Sequence, residues 1–148
     1  MARRFRFNLQ TALDIRQQKE DEARRQFAAA LRVLAEAVET RTRIRAKRAE
    51  IVAQVREGTT ETLLHGSQCL DLINQQLAGA HALVERQMRE VETRRQALIA
   101  SSQEREALSM LRDRKRAEHD SLAQKAEQRE LDEAGARQGN SGLTAPMR

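Results

Sequence analysis

Leu70, Leu77, Val84, Val91 and Leu98 recur at intervals of seven residues through the middle of the chain. A seven-residue apolar repeat holds one seam of a helix against a partner helix, so it is the mark of a coiled coil. A strand cannot use it, because strand side chains alternate with a period of two. The companion position is mixed. Ile73 and Ala80 fit it, Gln87 and Arg94 do not, and Met88 shifts the stripe by one. Leu108, Leu111, Leu122 and Leu131 extend the seam sparsely. One strong and one weak seam position suit a two-helix arrangement with a modest interface.

The partner helix is found upstream. Leu9, Leu13, Ala23, Phe27, Ala30, Leu34 and Val38 form a helical stripe that resumes at Ile44, Ile51 and Val55, with no proline to interrupt it. Asn8 is a good N-cap for it, and Gly58 a natural stop. The Thr, Ser and Gly residues of "EGTTETLLHGSQ" (57–68) are the only internal punctuation, with Leu63 and Leu64 in a short helical turn and Ser67 capping the next helix. The expected fold is all-α: an antiparallel two-helix coiled coil over residues 1–134. Its first helix spans about 8–57, its turn about 58–66, and its longer second helix about 67–134. Residues 135–148 hold three Gly and the only Pro and are expected to be a disordered tail. With the turn centred near residue 62, facing residues have numbers summing to about 124. Asn8 then lies opposite Arg116, and the stretch from Ala117 to Ala134 overhangs. The repeat alone leaves open whether the seam closes within one chain or between two.

Composition agrees with a seam rather than a compact core. The chain is 39% hydrophobic but only 2% aromatic, with no Trp or Tyr. Its formal charge is +5, and 23 of its 27 basic residues are Arg. That is a mild bias, unlike the dense basic stripe of a dedicated nucleic-acid binder. Two basic clusters, Arg41–Arg48 and Arg112–Arg116, read first as solvated faces and next as docking sites for an acidic protein surface. Nucleic acid comes last, for want of aromatic stacking partners. Glu20 with Arg24, Asp21 with Arg25, Glu39 with Arg43, Glu85 with Arg89 and Glu90 with Arg94 have the i, i+4 spacing of helix-surface ion pairs.

Cys69 is the only cysteine, so no internal disulfide is expected, and a reducing cytosol is the natural compartment. No apolar run is long enough to span a bilayer, and the basic N-terminus lacks the apolar stretch of a secretory signal. His65, His81 and His119 lie far apart, with no metal-binding spacing. No phosphate loop, dinucleotide fingerprint or nucleophile elbow is present. The residues therefore point to a non-enzymatic chain without metal or cofactor.

Two of the three aromatic residues, Phe5 and Phe7, stand among Arg3, Arg4 and Arg6. Phe7 precedes Asn8 and can staple back onto the first helical turn near Ala12. Phe5 can reach the opposite helix around residues 115–119. The opening "FRFNLQTALDIRQQKEDEA", with Phe5, Phe7, Leu9, Leu13, Arg16, Glu20, Asp21 and Glu22, resembles the start of the flagellar FliJ family. "LRDRKRAEHDSLAQKAEQRELDE" (111–133) is similar to that family's C-terminal region. Where some members carry aromatics around the hairpin end, Leu70, Leu72 and Ile73 stand here.

The resemblance implies a fold similar to the antiparallel coiled coil in the central stalk of rotary ATPases. It implies a non-enzymatic part of the flagellar type III export apparatus, cytoplasmic and peripheral to the inner membrane, with no membrane insertion and no nucleic acid. The implied partners are the hexameric export ATPase (FliI), the cytoplasmic region of the export gate protein (FlhA), and substrate chaperones. By this analogy the open, ring-entering end comprises Phe5, Phe7, Leu9, Arg112, Arg114, Leu122, Leu131, Asp132 and Glu133. The gate-facing surface comprises Leu70, Ile73 and Leu77, which read equally as seam. The corresponding stalk of a virulence injectisome shares the same physics. A basic coiled-coil scaffold or nucleic-acid-associated protein is the remaining alternative.

Overall fold

The computed structural model describes residues 3–143, which form two helices, α1 (Gln10–Arg56) and α2 (Thr60–Leu143). They pack antiparallel within one chain, which closes the seam internally. The turn is shorter than the sequence suggests, at residues 57–59. Thr59 caps α2: its carbonyl accepts the Leu63 N–H at 2.9 Å, and its hydroxyl shares a 3.0 Å hydrogen bond with that of Thr62. Glu61 in the first turn of α2 complements the helix dipole. With Thr59 in this role, the stretch up to Ser67 is absorbed into α2, and Leu63 and Leu64 lie in its first turns. The first helix also starts later than Asn8. Gln10 N–H donates to the Phe7 carbonyl at 3.1 Å, and the Leu9 carbonyl takes the first helical bond, from Leu13.

At its far end α2 runs past the expected limit of Ala134 to Leu143. Gly135 and Gly139 weaken a helix without breaking it, because only proline both removes a donor and clashes with the preceding turn. The rest of the expected tail, residues 144–148, lies outside the described residues.

Two compact units divide the chain, Gln18–Gln103 and the paired segments Met1–Gln17 and Glu104–Arg148. In the first, α1 contributes Ala23, Phe27, Ala30, Leu34, Ala37, Ile44, Ile51 and Val55 to the seam, and α2 contributes Leu70, Ile73, Leu77, Ala80, Val84 and Val91. Its fully covered centre is made of small and branched residues: Ala30, Ala37, Ile73, Ala80 and Val84. The register falls at number sums of 120 to 122, from Gln26 with Arg94 and Arg48 with Asn74, against the expected 124. The earlier start of α2 accounts for the direction of that shift.

Gln87 and Arg94, which do not fit an apolar repeat, are nonetheless half-buried at their heptad position, while Met88 is exposed. The stripe therefore does not shift. Arg94 donates from Nη1 to Gln26 Oε1 across the helices at 2.7 Å, and from Nε to Glu90 at 2.8 Å. Arg48 Nε likewise donates to Asn74 Oδ1 at 2.8 Å. Long stems cover the seam while polar ends bond at its edge, which lets polar residues hold seam positions. Glu20 is buried with its carboxylate 2.8 Å from Arg24. Of the expected surface pairs, Glu20–Arg24, Glu39–Arg43 and Glu90–Arg94 form, whereas Arg25 turns to Glu22 and Arg24 also reaches Asp21. No Glu85–Arg89 pair forms among the described residues.

Gly66 marks a close approach of the helices rather than a turn. A Cβ placed there would collide with Val55 Cγ2. Valine is stiff at χ1 in a helix and cannot swing aside cheaply. Gly66→Ala is therefore expected to destabilise the hairpin by about 1–2 kcal/mol, because overpacking outweighs the gain in helix propensity. In a Val55→Ala background the same change is expected to stabilise by up to about 1 kcal/mol. Urea melts of the four proteins measure this reversal of sign, and stabilisation in both backgrounds would refute the close approach.

Candidate functional site

The unit formed by Met1–Gln17 and Glu104–Arg148 has a different construction at its start. Residues 3–7 are not helical. An extended residue advances about 3.3 Å and a helical one about 1.5 Å. A non-helical leader can therefore pass more of α2 for each of its own residues than a helix does. Arg16 pairs with Glu104 where helix faces helix. Phe5 already meets His119, their rings edge to face at 5.6 Å between centroids. Arg3 lines a groove with Leu122, Ala126 and Glu130. The stretch of α2 without a facing segment is thus shorter than an all-helical register suggests. It does not begin at Ala117, because the leader accompanies α2 to the neighbourhood of Glu130.

Leu13 is the centre of this unit, with no exposed surface, the only large side chain among the described residues to be so covered. Leu108 and Leu111 are half-buried on α2 in the same unit. Phe5, Phe7 and Leu9 share a groove with Leu111, Lys115 and His119. The aromatic residues thus serve as anchors of the leader on α2, in the way expected of Phe5, while Phe7 also supplies the carbonyl that closes the turn into α1. His119 Nδ1 is buried without a hydrogen-bond partner, and the nearest carboxylate, that of Asp120, stands 3.7 Å away.

A second groove, of about 540 Å³, opens beside the first. It is lined by Phe5, Arg6, Phe7, Gln10, Arg112 and Arg116. Three arginines and two phenylalanines line it, and no acidic residue does. Arg112 has Asp113 at 3.6 Å. Arg6 and Arg116 pair with no acid among the described residues.

The residues singled out from the sequence fall into distinct places. Phe5, Phe7 and Leu9 are together, and Arg112 is in the adjoining groove. Arg114 lies on another face of α2 and lines neither. Leu122 stands in the Arg3 groove, and Leu131 is exposed beside Glu127 and Glu130. Asp132 accepts a hydrogen bond from Gln128 at 3.1 Å, and Glu133 is exposed. Leu70, Ile73 and Leu77 belong to the Gln18–Gln103 unit and are covered by its seam, Ile73 almost fully. Exposed apolar side chains stand next to them at Leu63, Leu64 and Leu72. Arg6, among the arginines around Phe5 and Phe7, and Arg116, in the second basic cluster, were noted but not assigned to the partner-binding end. The spacing held the signal, because Arg112 and Arg116 are four apart and share a helix face, whereas Arg114 is half a turn away.

Elsewhere the surface carries structural pairs. Glu92 accepts hydrogen bonds from Arg95 and Gln96, and the Arg95 bond foremost lowers its pKa to about 2. No helix of the described residues is long and apolar enough to cross a membrane, and no group of acidic, His or Cys side chains among them could hold a metal ion.

The family model described as "Flagellar FliJ protein" matches residues 5–143. No curated protein and no solved structure matches the chain.

Proposed function

Because the chain belongs to the flagellar FliJ family and is thus a coiled-coil protein of flagellar export, we propose that it serves as a non-enzymatic stalk and adaptor of the type III export apparatus. In this reading the unit holding Phe5, Phe7, Leu9 and Arg112 engages the ring of the export ATPase (FliI). The family match carries the reading, since it spans both helices and the Phe-containing leader. It also favours a flagellar system over an injectisome. The grooves beside Phe5 and Phe7, flanked by arginines and by the exposed Leu122 and Leu131, give a partner both apolar and charged purchase.

We place contact with the cytoplasmic region of the export gate (FlhA) near the turn. Leu70, Ile73 and Leu77 are engaged by α1 there, so the accessible Leu64 and Leu72 beside them are the side chains available to a partner. Chaperone handling follows from attachment to the same apparatus, at the cytoplasmic side of the inner membrane.

Purified full-length chain should bind both the ATPase and the gate region in pull-down. Deleting residues 2–7 should weaken ATPase capture while leaving most of the helical circular dichroism. Leu64→Asp with Leu72→Asp should weaken gate capture without lowering the melting temperature. Failure of the folded, full-length chain to bind either partner would overturn the reading.

A further inference from the structure

The groove lined by Phe5, Arg6, Phe7, Gln10, Arg112 and Arg116 combines features that select one kind of occupant. Its charge is of one sign, from guanidinium groups on two separate segments. Arg112 and Arg116 come from one face of α2, and Arg6 comes from the leader held there by Phe5 on His119. Like charges brought together raise the local potential, and an anion relieves it. The groove is also where α1 begins, and the first turn of α1 carries no acidic residue to answer its own dipole. Two phenyl rings add apolar surface next to the cations.

We propose that this groove receives an acidic, leucine-bearing segment of a partner protein. Its carboxylates are taken by the forks of Arg6, Arg112 and Arg116, and its apolar side chains lie against Phe5 and Phe7. Guanidinium matches carboxylate bidentately, which gives such a contact direction as well as strength. A polyanion such as nucleic acid fits less well. Phe5 is already engaged with His119 in an edge-to-face contact, so only part of its ring surface is offered to a base. Asp113, Glu118 and Asp120 also interrupt the basic run along α2, where a phosphate chain needs continuous positive charge. The proposal names the chemistry of the partner surface at the end assigned above to the ATPase, and it rests on that assignment only for the partner's identity.

The test is fluorescence anisotropy with a short labelled peptide of Glu, Asp and Leu, its Gln, Asn and Leu counterpart, and a single-stranded oligonucleotide. The full-length chain should bind the acidic peptide, more weakly as salt rises, and should not bind the neutral one. Arg6→Gln and Arg116→Gln should each lower affinity by about tenfold, with unchanged circular dichroism. Arg86→Gln with Arg89→Gln, on exposed positions of the other unit, should leave affinity unchanged. No binding of the acidic peptide, binding indifferent to Arg6 and Arg116, or tighter binding of the oligonucleotide through the same arginines would each overturn the proposal. Pull-down of the ATPase separates the two readings. Peptide binding without ATPase binding removes the proposed partner and keeps the groove. ATPase binding unaffected by Arg6→Gln and Arg116→Gln keeps the partner and removes the groove.

Discussion

Val84→Asp is expected to remove most of the chain's stability, shifting the urea midpoint of the helical signal far down or abolishing the cooperative transition at ordinary temperature. Val84 is 3% exposed and sits in the covered centre of the seam with Ala30, Ala37, Ile73 and Ala80. The substitution forfeits the burial of the valine, about 1.5–3 kcal/mol. It also places a carboxylate in a position covered by the facing helix, at a further cost of several kcal/mol. Domains of this size are stable by only about 5–15 kcal/mol. Val91 occupies the same heptad position but is only half-buried. An aspartate there can reach water, so Val91→Asp should cost clearly less. Val84→Ala should cost about 1.5 kcal/mol, the loss of roughly two buried methylene equivalents. An unchanged melting curve for Val84→Asp would mean that the seam is drawn wrongly.

Leu13→Ala is expected to destabilise the unit of Met1–Gln17 and Glu104–Arg148 by about 2–5 kcal/mol, the range for emptying a fully buried leucine site. Leu13 has no exposed surface, and among the described residues the unit has no second large side chain so completely covered to share the burden. Hydrogen exchange reads the effect locally. Amides of residues 104–119 should lose protection, while those around Ile73–Val84 should keep most of theirs. Leu9→Ala is the control. Leu9 is 42% exposed and should cost under about 1 kcal/mol. Equal effects of the two substitutions would show that Leu13 is not the centre of this unit. Because the leader and α2 shape the grooves together, Leu13→Ala should also weaken binding of the acidic peptide, and Leu9→Ala should do so less.

The candidate site was legible in part, and the reason lies in how its residues are displayed. Phe5 and Phe7 stand out in a chain with almost no aromatics, and the Phe5 contact near residues 115–119 was foreseeable from the hairpin register. Arg112 was found in a basic cluster. Arg114 was found in the same cluster but faces elsewhere, because proximity in sequence on a helix does not mean proximity in space. Arg6 and Arg116 line one groove at a number sum of 122, the same register as Arg48 with Asn74, so the register joined to the four-residue spacing of Arg112 and Arg116 held that signal. At the other site, the best apolar residues, Leu70, Ile73 and Leu77, were also the best seam residues. A hydrophobic side chain that marks a helix for packing cannot at the same time be free for a partner, and Leu64 and Leu72 are what α1 leaves uncovered.

The heptad repeat and the upstream apolar stripe together determined that the chain is helical, that it holds two long helices with the second the longer, and that a turn lies between the two stripes. A periodic stripe must be buried, and one hairpin buries both. Three features were decided only by the tertiary structure. One is the place of the turn, because Thr59 and Ser67 are both competent caps and the choice depends on which lets Gly66 pass close to Val55. Another is the presence of Gln87 and Arg94 in the seam, where the Arg94 stem covers apolar surface while Gln26 and Glu90 bond its end. The last is the depth of burial along one heptad position, from Val84 to Val91. A repeat fixes direction around a helix axis, whereas burial depends on what the opposite helix brings to the same height.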